Sequence, residues 1–218
     1  LSRQAAGDRA FVAGDLTMTG EQLAPIGTLK LEELIDIYKE QIGYLVEAGV
    51  DLLVVETMMS LQETRAALIA AKETCDLPVL VTMTFESDGR TLYGTDALTA
   101  AVVLSSLGAD AVGLNCSTGP DKMVELIRSM AQAVKVPVIA KPNAGLPFVD
   151  GEGRTCYDMD AAAFTEYMGA LIDAGATILG GCCGTTPEFI SRLSESYKAL
   201  NPKAYRTSHC NYKRYLTS

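Results

Sequence analysis

Short apolar runs alternate with longer amphipathic stretches along this chain, and the spacing of the two predicts alternating strands and helices. The apolar runs predict six strands over 11–16, 51–57, 79–85, 111–117, 136–142 and 177–183. Between them the apolar positions recur at helical spacing, as in Leu31, Leu34, Ile35, Tyr38, Ile42 and Leu45. Ser60 followed by Glu63 predicts a capping box at one helix start, and Thr185 with Glu188 and the intervening Pro187 predicts another. Gly49, Gly108 and Gly175 follow three of the helical stretches as C-terminal stops.

The pattern repeats. Glu-Ala-Gly-Val-Asp, Ser-Leu-Gly-Ala-Asp and Asp-Ala-Gly-Ala-Thr each lead into a strand, and Leu-Pro-Val and Val-Pro-Val lead into the two between. Gly49 and Gly108 are 59 residues apart, as are Pro78 and Pro137, whereas Gly108 and Gly175 are 67 apart. The longer interval predicts an insertion in a loop over 143–157. Repeated βα units with continuously apolar strands imply a parallel sheet wrapped by helices. A (β/α)₈ barrel fits best, with two βα units absent ahead of the first visible strand, because a barrel needs eight strands in roughly 250 residues. The opening nine residues read as the end of a helix leading into that strand. An open doubly wound sheet is the alternative, but no Gly-x-Gly-x-x-Gly turn follows any strand. The expected organisation is a partial barrel over 1–200 and a tail over 201–218.

Composition narrows the function. The 218 residues are 48% hydrophobic and 21% charged, ordinary for a globular domain. A formal net charge of −9 and the lack of a Lys/Arg cluster argue against nucleic acid, and small neutral or zwitterionic substrates fit better. No apolar run reaches membrane-spanning length and no signal-like segment opens the chain. Six cysteines include the adjacent pair Cys182 and Cys183, which bridge to each other only with strain, so a reduced, cytoplasmic protein is expected.

The candidate chemistry gathers where barrel enzymes keep it, at the carboxyl ends of the strands. Cys116 in Gly-Leu-Asn-Cys and Cys182-Cys183 in Gly-Gly-Cys-Cys-Gly both stand where an apolar run gives way, and together they suggest a zinc site. A lone buried cysteine is usually inert, and small residues also suit a tight turn. Three soft thiolates with one position left over, however, match a catalytic rather than a structural zinc. Glu56 ends Leu-Leu-Val-Val-Glu-Thr, where a carboxylate needs a partner: a helix end, a structural cation, or the amino group of a substrate. Asn143 follows Lys-Pro and either belongs to a rigid loop or offers an amide oxygen to a vacant metal position. Gly180-Gly181 also admits a phosphate-binding reading without zinc. A third reading is an inactive fragment with a purely structural metal. Cys75, Cys156 and Cys210 have no such context, and His209, the only histidine, lies in the polar tail, which removes Ser-His-Asp and Cys-His catalysis.

Gly-Leu-Asn-Cys116, Lys-Pro-Asn143-Ala-Gly-Leu-Pro and Gly-Gly-Cys182-Cys183-Gly-Thr-Thr-Pro resemble the zinc-dependent homocysteine S-methyltransferase family, over roughly residues 11–195 and including Val-Val-Glu56-Thr. The Pro-Asn-Ala-Gly-Leu-Pro loop is most similar to the homocysteine-binding module of cobalamin-dependent methionine synthases. The resemblance implies a (β/α)₈ barrel whose zinc is held by Cys116, Cys182 and Cys183, with homocysteine sulfur as fourth ligand. It further implies that Asn143 occupies the open position when substrate is absent and that Glu56 lies near the substrate amine. The implied reaction activates homocysteine as a zinc-bound thiolate for methyl transfer to give methionine. The implied donor is methylcobalamin on a separate corrinoid-carrying domain or protein. Two departures stand out. The family's Asp-Gly-(Ala or Gly)-Met-Gly segment on its first strand is not present, and Gly14-Asp-Leu-Thr-Met-Thr-Gly20 matches its Gly-x-x-Gly-Pro-x-Gly only in part.

Overall fold

The computed structural model describes residues 1–197. The expected boundary at residue 200, the tail, His209 and Cys210 lie outside the described residues. Six parallel strands, β1 (Ala13–Leu16), β2 (Leu52–Met58), β3 (Val79–Met83), β4 (Ala111–Asn115), β5 (Val138–Lys141) and, after an inserted hairpin, β8 (Ile178–Leu179), form one sheet. They neighbour one another in chain order, each joined to the next through a helix. A doubly wound sheet would reverse its order at a switch point, and this one does not. Six consecutive units of a (β/α)₈ barrel are therefore present, with β1 and β8 as its two edges.

The intervening helices are α2 (Leu31–Glu47), α3 (Leu61–Thr74), α4 (Ala97–Ser106), α5 (Val124–Ala133), α6 (Ala161–Asp173) and α7 (Pro187–Tyr197), while α1 (Ser2–Ala6) precedes β1 as expected. Helices α2 to α5 bury their apolar stripes against the outer face of the sheet, and α6 and α7 pack on each other. Leu34, Tyr38 and Ile42 do so on α2, and Leu53, Val55, Val81 and Val112 meet the helices from the strands. On α3 the buried stripe is mostly alanine (66, 67, 70 and 71), which lets that helix lie close to the sheet. Phe164 of α6 meets Phe189 of α7 edge to face, with ring centroids 5.3 Å apart. Gly49, Gly108 and Gly175 take the left-handed conformation just beyond α2, α4 and α6, with φ of 76°, 94° and 112°.

The sequence repeat has a structural meaning. Its final residue accepts a hydrogen bond from the backbone at the start of the preceding strand. Asp51 accepts from Val12 N–H at 2.7 Å, Asp110 from Val79 N–H at 2.8 Å, and the Thr177 hydroxyl from Val138 N–H at 3.1 Å. A polar side chain at this position thus sets the register of alternate strand pairs. Asp110→Ala is expected to lower stability by about 1.5 kcal/mol, the range for a charged hydrogen bond, as read from the midpoint of urea unfolding.

Three local expectations differ from what is observed. The Ser60 hydroxyl accepts from Glu63 N–H at 3.3 Å, but the Glu63 carboxylate does not return to cap the helix. It turns to Thr19 and Tyr38, whose donors it satisfies deep in the core. At the second expected box, Pro187 opens α7, while the Thr185 hydroxyl donates back to the Cys182 carbonyl at 2.7 Å. The 143–157 segment is more than a loop: it carries the antiparallel hairpin β6 (Pro147–Val149) and β7 (Thr155–Tyr157).

Candidate metal centre

Side chains alternate along the strands, so one face of the sheet meets the helices and the other looks into the barrel. Registers through Thr82–Gly113 and Asn115–Lys141 place Thr82, Asn115 and Lys141 on that inner face, and alternation places Asp15 and Glu56 there too. Near the carboxyl ends strand geometry breaks, at a bulge inside β2 and in the turn just past β4. Thr57, Cys116 and Ser117 adopt φ of 59°, 63° and 63°, rare for any residue other than glycine and most costly for the β-branched Thr57. This turn is why β4 ends at Asn115 and not at 117. It also swings the Cys116 side chain toward β8.

Cys116, Cys182 and Cys183 converge there. Their sulfurs all lie within 4.8 Å of one another, and Cys116 Sγ is 3.7 Å from Cys183 Sγ. Tetrahedral zinc at a Zn–S length of about 2.3 Å requires sulfurs roughly 3.8 Å apart, so the spacing suits that ion. The donor set is all sulfur, and no other such cluster of His, Cys, Asp or Glu occurs among the described residues. The thiols share protons unevenly. Cys182 is pushed down to about 5, first by a hydrogen bond from Cys116 and against the effect of burial. Cys116 is pushed up, first by that same bond and then by burial.

The turn bearing Cys182 and Cys183 is splinted by the segment following β5. Cys116 N–H donates to the Lys141 carbonyl at 3.1 Å and Cys182 N–H to the Pro142 carbonyl at 2.9 Å. Asn143 N–H donates to the Thr118 carbonyl at 3.2 Å, and Ala144 N–H to the Cys183 carbonyl at 2.9 Å. The buried Asn143 amide oxygen accepts from Cys183 N–H at 3.1 Å. Lys141-Pro-Asn-Ala thus lies between the two cysteine segments and bonds to both. Gly184 closes the turn at φ 79°, and a Cβ there would run into the ring of Tyr157 from the inserted hairpin.

Gly180, Cys182, Cys183 and Thr185 have their amides committed to the Ala140 carbonyl, the Pro142 carbonyl, Asn143 and the Cys182 carbonyl. Of the Gly180-Gly181 pair, a phosphate cradle would thus find the Gly180 amide already committed, which weakens the anion-binding alternative.

Glu56 forms an ion pair with Lys141 across the inner face, and both side chains are largely shielded. Asp15 stands near enough to feel both. Its carboxyl is held above the usual range, first by partial desolvation and then by the charge of Glu56, with Lys141 opposing. Sequence reasoning assigned Glu56 and passed over Asp15 and Lys141. The strand alternation that aligns Asp15 with Glu56 was the available signal for the first, and Lys141 carried none.

The sequence model of the homocysteine S-methyltransferase family matches residues 1–197. This chain belongs to that family. It is 31% identical to a methionine synthase from Mycobacterium leprae, over 96% of this chain and 18% of the relative. It is also 31% identical to the methionine synthase of Mycobacterium tuberculosis, over 85% of this chain and 16% of the relative. The chain therefore spans under a fifth of the length of these curated relatives. Among solved structures it resembles the homocysteine methyltransferase MmuM from Escherichia coli. The metallated form superposes with a TM-score of 0.70 at 20% identity, covering 89% of this chain and 65% of that one. The apo form gives 0.68 at 22% identity with the same coverage. That likeness establishes the shared fold.

Proposed function

We propose that this chain is the homocysteine-activating part of a methyltransferase that forms methionine, with Cys116, Cys182 and Cys183 as the three protein ligands of a zinc ion. The convergence of three sulfurs within 4.8 Å of one another, one pair at the 3.7 Å of tetrahedral ligation, carries this reading, and membership of the family supports it. Bound zinc supplies a Lewis acid that strips the proton from a coordinating thiol, which at a pKa of about 8.5 is otherwise mostly neutral near pH 7. The chain holds no histidine among its described residues, so a nucleophile made this way needs no general base.

The protein's own residues orient the amino acid. Glu56 receives the substrate ammonium group, and Lys141, its partner in the present structure, turns to the substrate carboxylate. Asp15 adds a second carboxylate to the amine side. Asn143, whose amide oxygen now accepts from Cys183 N–H, would offer that oxygen to the ion when substrate is absent. With the amino acid so oriented, the substrate sulfur would be placed to take the methyl group, its new carbon–sulfur bond forming as the methyl–donor bond breaks with the electron pair left on the donor. Methylcobalamin on a separate corrinoid-carrying domain or protein is the donor we propose. The small share of the methionine synthases that this chain spans is consistent with further domains supplying it.

Cobalt substitution tests the site. Homocysteine added to the cobalt-loaded protein is expected to change the sulfur-to-cobalt absorption, whereas methionine at equal concentration leaves it nearly unaltered. A spectrum indifferent to homocysteine would mean that the fourth position does not exchange, and the metal would then be structural.

A further inference from the structure

Asn115, which neither the expected ligand set nor the proposed substrate contacts include, is completely buried and uses its whole amide. Its Oδ1 accepts from Thr57 N–H at 2.9 Å and from the Thr82 hydroxyl at 2.8 Å. Its Nδ2 donates to the Thr57 hydroxyl at 2.8 Å and to Cys182 Sγ at 3.6 Å. The orientation of the amide is fixed, because a backbone N–H only donates and so must face the oxygen. One side chain on β4 therefore grips β2 at two points, β3 at one, and the sulfur of a residue beyond β8.

We propose that Asn115 is a positioning residue for the metal centre. It transmits the geometry of the three central strands to the Cys182 thiolate and supplies that sulfur with its hydrogen-bond donor. Two further observations support this. The bonds that splint the Cys182 turn fix its backbone, whereas Asn115 Nδ2 meets the sulfur itself. Thr57 is held in the left-handed region, where a β-branched residue is strained, and Asn115 clamps both its amide and its hydroxyl. A rigid grip on β2 is what allows the remaining N–H to be aimed at one sulfur. Three thiolates around a dication leave an excess negative charge, which an N–H donor offsets at the sulfur it touches.

The inference rests on the zinc reading above. Asn115→Asp keeps the side-chain shape and the acceptor for Thr57 and Thr82, but puts an oxygen where Cys182 now meets a donor. We expect a 10- to 100-fold loss of zinc affinity by chelator competition, the usual effect of losing an outer-shell partner, and a shift in the sulfur-to-cobalt absorption. Thr84→Val removes the hydroxyl that donates to the Asn115 backbone carbonyl at 3.0 Å without touching the amide. It should lower Tm yet keep zinc affinity within about twofold. Equal affinity loss in the two variants, or unaltered affinity in Asn115→Asp, overturns the assignment. Should Asn115→Asp not fold, the parent still decides: the side-chain NH₂ resonances of Asn115 must move when zinc is added, and resonances that stay put overturn it. A folded, reduced parent that takes up no zinc refutes the metal reading itself, and the assignment with it.

Discussion

Reduced protein is expected to carry about one zinc per chain, and Cys182→Ala to retain almost none after dialysis against a weak chelator. Metal analysis alongside protein concentration makes the measurement. If four ligands share an apparent binding free energy of roughly 12 kcal/mol, each contributes about 3 kcal/mol, or on the order of 100-fold in affinity. Cys116→Ala should behave the same way, since the 3.7 Å approach of its sulfur to Cys183 makes it an equal member of the cluster. Cys156→Ala is the informative comparison. That thiol is also free and part-buried, but its contact is with Asp150 at 3.7 Å and it stands outside the cluster. Its loss should leave the stoichiometry at about one. Loss of metal in all three variants would point to general destabilisation and not to ligation.

Glu63→Ala should cost about 3 kcal/mol, the largest effect we expect away from the cysteines. The carboxylate is 5% exposed, and one of its oxygens accepts from Thr19 N–H at 2.7 Å, the Thr19 hydroxyl at 2.9 Å and the Tyr38 hydroxyl at 3.1 Å. Truncation removes the acceptor shared by the Thr19 amide and hydroxyl and one of the two acceptors near the buried Tyr38 phenol. The same contacts tie the segment after β1 to α2 and α3, so the loss should fall on that edge of the sheet. The single Tyr38 hydroxyl proton can turn instead to the Thr17 carbonyl at 3.0 Å, which softens the penalty at the phenol. Chemical denaturation measures the total. Hydrogen exchange should show Val12 through Leu16 losing protection before the β4–β5 pair, and uniform loss would contradict the local assignment.

The repeat and the apolar runs made the strand order legible, because parallel strands covered on both faces are apolar along most of their length. Strand ends were less legible. The run over 177–183 is apolar or small throughout, yet only Ile178 and Leu179 pair, since the chain turns at once to present the two cysteines. A run of small residues does not by itself distinguish a strand from a tight turn. The convergence of Cys116, Cys182 and Cys183 was readable because unusual residues stood at equivalent positions of different units. Asn115 stood beside one of them and was not readable. Its task is defined by Thr57 and Thr82, 58 and 33 residues away, and only the fold brings them together. Lys141 was hidden for the same reason, because its partner Glu56 is 85 residues distant. Glu63 shows the opposite failure: a local motif with a sound mechanism lost to stronger donors supplied by the tertiary structure.

The shortness of β8 has a consequence for the order in which the molecule comes apart. Two residues of pairing hold this edge strand to β5, flanked by the bonds from Thr177 N–H to the Val138 carbonyl and from Gly180 N–H to the Ala140 carbonyl. An ion gripping Cys116 together with Cys182 and Cys183 would act as a cross-link between chain segments 66 residues apart, closing a loop that the backbone alone secures only lightly. Metal occupancy would then set the mechanical integrity of the last βα unit as well as its chemistry. On removal of the ion, the edge of the sheet, not its centre, would be the first part to fray.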